Sequence, residues 1–377
     1  MDQITIIGSG FAGLTAARRL RKRAPDVAIT LVAPEAELLY YPSLIWIPSG
    51  IRSGDDLRIN VEGFLSRLDV HFRPARVTSL RDGGRTVVTD DGEIGNDGLI
   101  IAGGGRFLDK PAGIEHTVTL CKGIQAAEQI RDRLNAMEGG TLAFGFASNP
   151  DEPAAMRGGP MFELLFGTET LLRRQGRREQ FRLVFVTPAS RPGQRLGERA
   201  VKGILDEMEH RGIEPRLGHK IQRFEANRVV TEGREIRADL IMFMPGMTGP
   251  DWAEASGLAL SPGGMFQADE LARVHGAERV YVAGDAGSFP GPEWMPKQAH
   301  MADLQALAAA DNLLAELGGG QAHRRFKAEL ICMMDTLDKG ILVFRNDKRA
   351  MVLPSRAFHW AKRAFERWYL RPYRQGA

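Results

Sequence analysis

The chain has 377 residues, 43% of them hydrophobic and 26% charged, which supports two or three domains with a sizeable core and excludes disorder. Its 43 glycines amount to about 11%, against a usual roughly 7%, so many tight turns or close backbone approaches are implied. The net charge of +3 is uneven: residues 345–377 hold nine Lys/Arg against Asp347 and Glu366, a net +7 that leaves −4 on the remainder. Eight scattered histidines and two cysteines offer no HxxxH, HExxH or CxxC spacing, so neither a metal site nor a disulfide framework is expected. No run of about 18 apolar residues occurs, and the chain enters a strand at once, so neither a transmembrane helix nor a cleavable signal is expected. No nucleic-acid partner is expected.

In chain order, Gln3–Ile7 reads as a short apolar strand, ended by Gly8-Ser9-Gly10-Phe11-Ala12-Gly13 and followed by a helix over Leu14–Arg23. A strand over Val27–Val32 closes a βαβ unit, in which a parallel pair needs the intervening helix. Further strand-like pieces lie at Val70–Leu80, Thr86–Thr89 and Leu99–Ala102. A second α/β stretch then runs through a helix at Ile124–Met137, a strand at Thr141–Phe146 and a helix at Met161–Leu172. It continues through the strand Phe181–Thr187, a helix at Gly197–His210 and the strand Ile213–Leu217. Leu240–Met244 and Val280–Ala283 read as buried strands on a return to the first domain, before an Ala-rich helix at Ala299–Leu317. After Gly318-Gly319-Gly320, a hairpin turning at Leu337-Asp338-Lys339-Gly340 and a helix over Ser355–Tyr369 complete the chain.

The first glycine motif follows a strand and opens a helix, where glycines permit a tight turn and helix amides face a pyrophosphate. Asp285, just past the strand Val280–Ala283, is placed to hydrogen-bond the ribityl or phosphate region of a flavin, and the two motifs together point to FAD. The second α/β domain carries no such loop. Its first strand runs into Ala147-Ser148-Asn149-Pro150-Asp151-Glu152-Pro153, whose prolines lack amide donors and whose carboxylates repel phosphate. Electrons are therefore not expected from NADH. In the tail, Phe358, Ala361, Phe365, Trp368 and Tyr369 recur at helical spacing among Arg356, Lys362, Arg363 and Arg367, which suits an anionic membrane surface.

Taken together, Gly8–Gly13, Ile29–Pro42, Cys121 ahead of a helix, Val280–Ala286, Pro296-Lys297-Gln298 and Cys332 before Met333-Met334-Asp335 resemble sulfide:quinone oxidoreductases over nearly the whole chain. The resemblance is to their type VI or F subgroup, within the flavoprotein disulfide reductase-like superfamily. It implies that Cys121 and Cys332 lie together near the flavin and cycle between thiol, disulfide and sulfur-bridged states. Lys297 then stabilises the reduced flavin, and Glu163 accepts a proton from hydrogen sulfide if burial raises its pKa. Most relatives carry a third cysteine, about where Asn149 stands here. Family histidines fall near Gln125 and Gln194, which exchange no protons, and neither His116 nor His300 is an obvious replacement.

The implied FAD contacts are Gly8, Gly10, Phe11, Ala12, Gly13, Ala33, Pro34, Glu35, Pro42, Val77, Gly103, Gly284, Asp285, Lys297 and Gln298. With no spare cysteine for a thioether, FAD is expected to be noncovalent. Phe344 and Phe358 are the expected quinone contacts.

The expected protein is α/β: two Rossmann-like domains of FAD/NAD(P)-binding type plus a C-terminal membrane-interacting segment. Residues 1–110 begin the FAD domain, 111–235 form the second domain, 236–320 return to the first, and 321–377 supply the hairpin and anchoring helix. The expected activity is FAD-dependent oxidation of sulfide to sulfane sulfur or polysulfide, with electrons passed to a membrane quinone. Sulfide, quinone and an anionic lipid surface are the expected partners, a homo-oligomer is allowed, and the location is peripheral (monotopic) on a membrane. Type II NADH:quinone oxidoreductase, flavocytochrome c sulfide dehydrogenase and a flavin-holding redox sensor or scaffold are the competing readings.

Overall fold

The computed structural model describes residues 1–374, so the last three positions of the expected 321–377 segment lie outside it. From the N-terminus, β1 (Gln3–Ile7), α1 (Phe11–Arg23), β2 (Ala28–Ala33), β3 (Val70–Pro74) and β4 (Gly98–Ile101) build the first layer. Next come α2 (Ile124–Ala136), β5 (Gly140–Phe146), α3 (Gly159–Arg174), β6 (Phe181–Thr187), α4 (Glu198–His210), β7 (Ile213–Leu217) and β8 (Leu240–Met244). The chain ends through β9 (Val280–Val282), α5 (Ala299–Leu317), β10 (Leu330–Asp335), β11 (Gly340–Arg345), β12 (Ala350–Ser355) and α6 (Ala357–Arg374).

The first sheet is parallel, in the order β9-β4-β1-β2-β3, with Ile4 facing Ile29 on one side and Gly98 on the other. Because both faces are covered, β1 and β4 read as continuous apolar runs. On one face, α1 presents Ala16 and Ala17 and α5 presents Ala306, Ala309 and Ala310, all buried in one core. These small side chains let the two helices close over the sheet, and Gly98 makes room for Leu313.

The second sheet is also parallel, in the order β7-β6-β5-β8. This corrects the expected boundary at residue 236, since Leu240–Met244 pairs with β5 rather than returning to the first sheet. An all-apolar strand looks the same in either sheet; the antiparallel strands Ile221–Glu225, Arg228–Thr231 and Glu235–Arg237, unforeseen in the sequence, carry the chain back to the second domain's edge.

The C-terminal hairpin gains a third antiparallel strand, giving β10-β11-β12. Pro354 sits in β12, an edge strand, where a missing N–H is tolerated. Beyond it, α6 packs back on both domains: Leu370 and Tyr373 belong to the core of the first, while His359, Lys362 and Glu366 are also buried.

Candidate active site

A cavity of 2210 Å³ runs between the two domains and under α6, with its floor at the C-terminal ends of β1 and β5. Among the expected FAD contacts, Gly8, Gly10, Phe11, Ala12, Ala33, Pro34, Pro42, Val77, Gly103, Gly284, Asp285, Lys297 and Gln298 line it. The cradle needs its glycines. Gly8 has φ +107°, and a Cβ there would stand 2.4 Å from the Ala102 carbonyl oxygen; a Cβ on Gly13 would stand 1.9 Å from that of Gly8. Gly13 is thus spent on packing the helix against the loop, and it does not line the cavity. By contrast, open space surrounds the Cβ direction of Gly10, and α1 has no side-chain cap there, so its first amides are free for a phosphate.

Glu35 is exposed and lies off the cavity, whereas Glu37 lines it, because Ser9 Oγ donates to the Glu35 and Glu37 carbonyls and holds the β2 exit with Glu37 inward. Lys297 donates to the Gly287 and Asp285 carbonyls, and burial pushes its ammonium down to about 8. These residues fit a dinucleotide with an anionic pyrophosphate, and they would hold FAD along α1 with Asp285 and Lys297 beyond it.

The opposite wall brings together side chains from four distant segments. Cys121, on a short 3-10 turn before α2, is buried; Cys332, on β10, is half-buried; both line the cavity and both thiols are raised by the charge of Glu163. Burial is the larger cause in each case and pushes Cys332 up to about 12. Cys332 Sγ stands against the first turn of α3, 3.8 Å from where a Gly159 Cβ would be.

Glu163, one turn further along α3, is buried, accepts from the Asp335 backbone N–H at 2.7 Å and pairs with Lys362 Nζ. Its carboxyl is pushed up by burial, and Lys362 opposes that shift. Asp335 is itself fully buried and accepts from Trp46 Nε1 at 2.7 Å, from the Leu337 N–H at 2.9 Å and shares a hydrogen bond with His359 Nδ1 at 2.9 Å. A polar network therefore fastens α6 to the cavity wall.

Arg157, in the loop entering α3, is the residue of this wall that sequence reasoning passed over. Its guanidinium pairs with Asp285 and stacks on the Tyr41 ring at 5.6 Å, and its charge opposes the upward push of burial on the Cys121 thiol. Asn149, standing about where most relatives carry a third cysteine, is buried against the backbone, donating to the Met247 and Gly263 carbonyls. His300 lines the cavity and shares a hydrogen bond with Glu329 at 3.1 Å.

The outer mouth differs from expectation. Phe344 and Phe358 do not line the cavity: Phe344 lies on β11 opposite Ile331 and Met351, and Phe358 packs on Gly340. Ile331, Phe365, Trp368 and Tyr369 line it instead. Lys362, expected on the solvated basic face, is turned inward. The helix is inverted relative to a soluble amphipathic helix, with His359, Lys362 and Glu366 buried while Trp360, Phe365 and Trp368 are 65%, 48% and 69% exposed. Ile331, Met351 and Leu353 on one face of the terminal sheet are exposed beside it. Among the described residues, no helix is long and apolar enough to cross a membrane, and no cluster of side chains fits a metal ion.

The family model described as pyridine nucleotide-disulphide oxidoreductase matches residues 2–306. The chain belongs to this family. As a pyridine nucleotide-disulphide oxidoreductase family member it is an FAD-dependent oxidoreductase with FAD bound noncovalently, in keeping with the cradle on α1. It is 23% identical to the sulfide-quinone reductase of Aquifex aeolicus over 401 residues, covering 99% of this chain and 91% of that protein. It is 26% identical to the type II NADH:quinone oxidoreductase of Mycobacterium tuberculosis over 359 residues, with 86% and 74% covered. The solved structure of the sulfide:quinone oxidoreductase from Aquifex aeolicus superposes with a TM-score of 0.91 at 21% identity, covering 100% of this chain and 92% of that one. That likeness confirms the α/β fold with two Rossmann-type domains.

Proposed function

We propose that this oxidoreductase takes two electrons from sulfide through Cys121 and Cys332 and delivers them to a membrane quinone. The observation that carries the reading is the meeting of the chain's two cysteines, 211 residues apart, at one cavity with the buried acid Glu163 beside them. Two thiols suit sulfide chemistry, since hydrosulfide opens a disulfide and releases one cysteine as thiolate. Bound FAD supplies the two-electron acceptor that links this thiol chemistry to a quinone. Glu163 takes the proton of incoming hydrogen sulfide, aided by the burial that raises its carboxyl. Lys297 places a cation beside Asp285, near the cradle's far end.

The quinone reaches the cavity through the mouth formed by Ile331, Phe365 and Trp368. The outward Trp360, Phe365 and Trp368, with Arg363 and Arg367 nearby on the same helix, dock that mouth on an anionic bilayer, where aromatic and basic side chains favour the interface. The chain is then a peripheral membrane protein. NADH as donor is disfavoured because the loop after β5 carries Pro150 and Pro153 and puts Glu152 in the cavity.

The reading is tested by steady-state reduction of a soluble quinone with sulfide or NADH as the donor. Turnover with sulfide and none with NADH is expected; the reverse assigns the chain to the NADH branch of its relatives.

A further inference from the structure

Resting on the sulfide reading above, we infer that Arg157, at the open start of α3, is an anion seat that holds the substrate as hydrosulfide between the segments carrying the two cysteines.

Arg157 lines the cavity from the loop entering α3, and its guanidinium is fixed on two sides, by the pair with Asp285 and by the Tyr41 ring at 5.6 Å. Tyr41 begins the short helical turn Tyr41–Trp46, which packs on the turn Leu120–Lys122 that carries Cys121. In the other direction, Gly159 follows Arg157 by two residues and faces β10, where its Cβ would stand 3.8 Å from Cys332 Sγ. The guanidinium is therefore anchored between the two cysteine-bearing segments.

That anchoring leaves one donor over. Arg157 Nε is buried with no hydrogen-bond partner among the described residues, and a charged donor left unpaired in a protein interior is costly, so an acceptor belongs there. The start of α3 adds to the attraction. It runs Gly158-Gly159-Pro160 along the cavity with no side-chain cap, so the positive end of the helix dipole is open to an anion.

The neighbouring charges do not fill this role. Lys362 is bound to Glu163, and Lys297 donates to the Asp285 and Gly287 carbonyls while burial pushes it down to about 8. A guanidinium, by contrast, keeps its charge at every working pH. The nearby carboxylates Asp285 and Glu163 are each matched by a cation, which limits their repulsion of an incoming anion. A single free donor suits a small monovalent anion. Hydrogen sulfide entering the cavity gives one proton to the Glu163 carboxylate, the electron pair of that S–H bond stays on sulfur, and the hydrosulfide so formed is held by Arg157.

The test titrates azide, a small monovalent anion, into the oxidised, flavin-loaded protein while the flavin absorbance is followed. A saturable change is expected, and azide should compete with sulfide in the initial rate of flavin bleaching. Arg157→Gln should weaken azide binding by about tenfold or more, and Arg157→Lys, which keeps the charge, should recover part of it. Tyr41→Leu removes the ring that supports the guanidinium and should weaken azide several-fold. The inference is overturned if the unaltered protein shows no saturable change, if bound azide leaves bleaching by sulfide unaffected, or if Arg157→Gln binds azide as well as the parent. Should Arg157→Gln fail to retain flavin, an unchanged azide affinity in Tyr41→Leu overturns it instead. If sulfide leaves the flavin absorbance untouched, the sulfide reading fails, while the azide titrations still decide whether Arg157 seats an anion.

Discussion

Lys362 and Glu163, 199 residues apart, form a buried ion pair that joins the last helix to the acid beside both cysteines. A buried pair is weak evidence for stability, because two desolvated charges are costly, but leaving one of them alone is worse. Lys362→Met should therefore destabilise the protein by about 3–5 kcal/mol, and Glu163→Gln together with Lys362→Met should recover part of that loss. Urea denaturation of the single and double variants checks this. A Lys362→Met protein as stable as the parent would show that the pair is not formed.

The cysteines act as one relay in this account. Cys121→Ser and Cys332→Ser should each abolish reduction of the flavin by sulfide while keeping folded, yellow protein, and the double variant should be no worse than either. Substantial turnover in a single variant would contradict the two-thiol mechanism. Because the chain has no further cysteine, mild acid should also release all its FAD, and colour that stays with the denatured chain on a gel would contradict noncovalent binding.

Lys297 gives a pH signature in the flavin-free protein. Its folded value is pushed down to about 8 from 10.5, so between those values the unfolded chain binds more protons and stability rises with pH. The effect is absent below that window and complete above it. Urea midpoints of the parent and of Lys297→Met, taken on both sides of the window, should converge or cross as this contribution appears in the parent alone. Parallel pH profiles for the two proteins would contradict the burial of a titrating Lys297.

Much of this was readable from local pattern. The strand, glycine loop and helix at Gln3–Arg23, the Ala-rich α5 and the buried strands each declare themselves within about a dozen residues, and Gly8, Gly10 and Asp285, singled out by their motifs, line one cavity. What depended on distant partners was not readable. Leu240–Met244 is apolar whichever sheet it joins, so its place beside β5 follows from the meander before it. Lys362 looked like one more basic residue of an amphipathic helix until Glu163 was placed opposite it. Arg157 lies in an undistinguished loop, and its only local signal was a cation just ahead of the Gly158-Gly159-Pro160 helix start. The place of Phe344 outside the cavity was hidden for the same reason: Phe344 and Phe365 are equally aromatic, and only the packing of α6 against β10 shows which one reaches the cavity.

The inverted helix makes a prediction about membranes that does not require deleting it. Removing α6 would uncover Asp335 and Glu163, so truncation confounds docking with unfolding. Trp360→Ser and Trp368→Ser alter side chains that are already exposed. Burial of one large apolar side chain is worth about 1.5–3 kcal/mol, so each change should weaken binding to anionic vesicles by about tenfold or more, with little change in thermal stability. Binding of the parent should also weaken as salt rises, from the basic residues of the same segment. Vesicle flotation unchanged in the double variant would show that this face does not meet the bilayer.

The most direct test of the central claim is anaerobic addition of sulfide to the flavin-loaded protein while its absorbance is followed. Sulfide should bleach the oxidised flavin, and a soluble quinone added next should restore it in full. A flavin that stays oxidised with sulfide but bleaches with NADH would contradict the account.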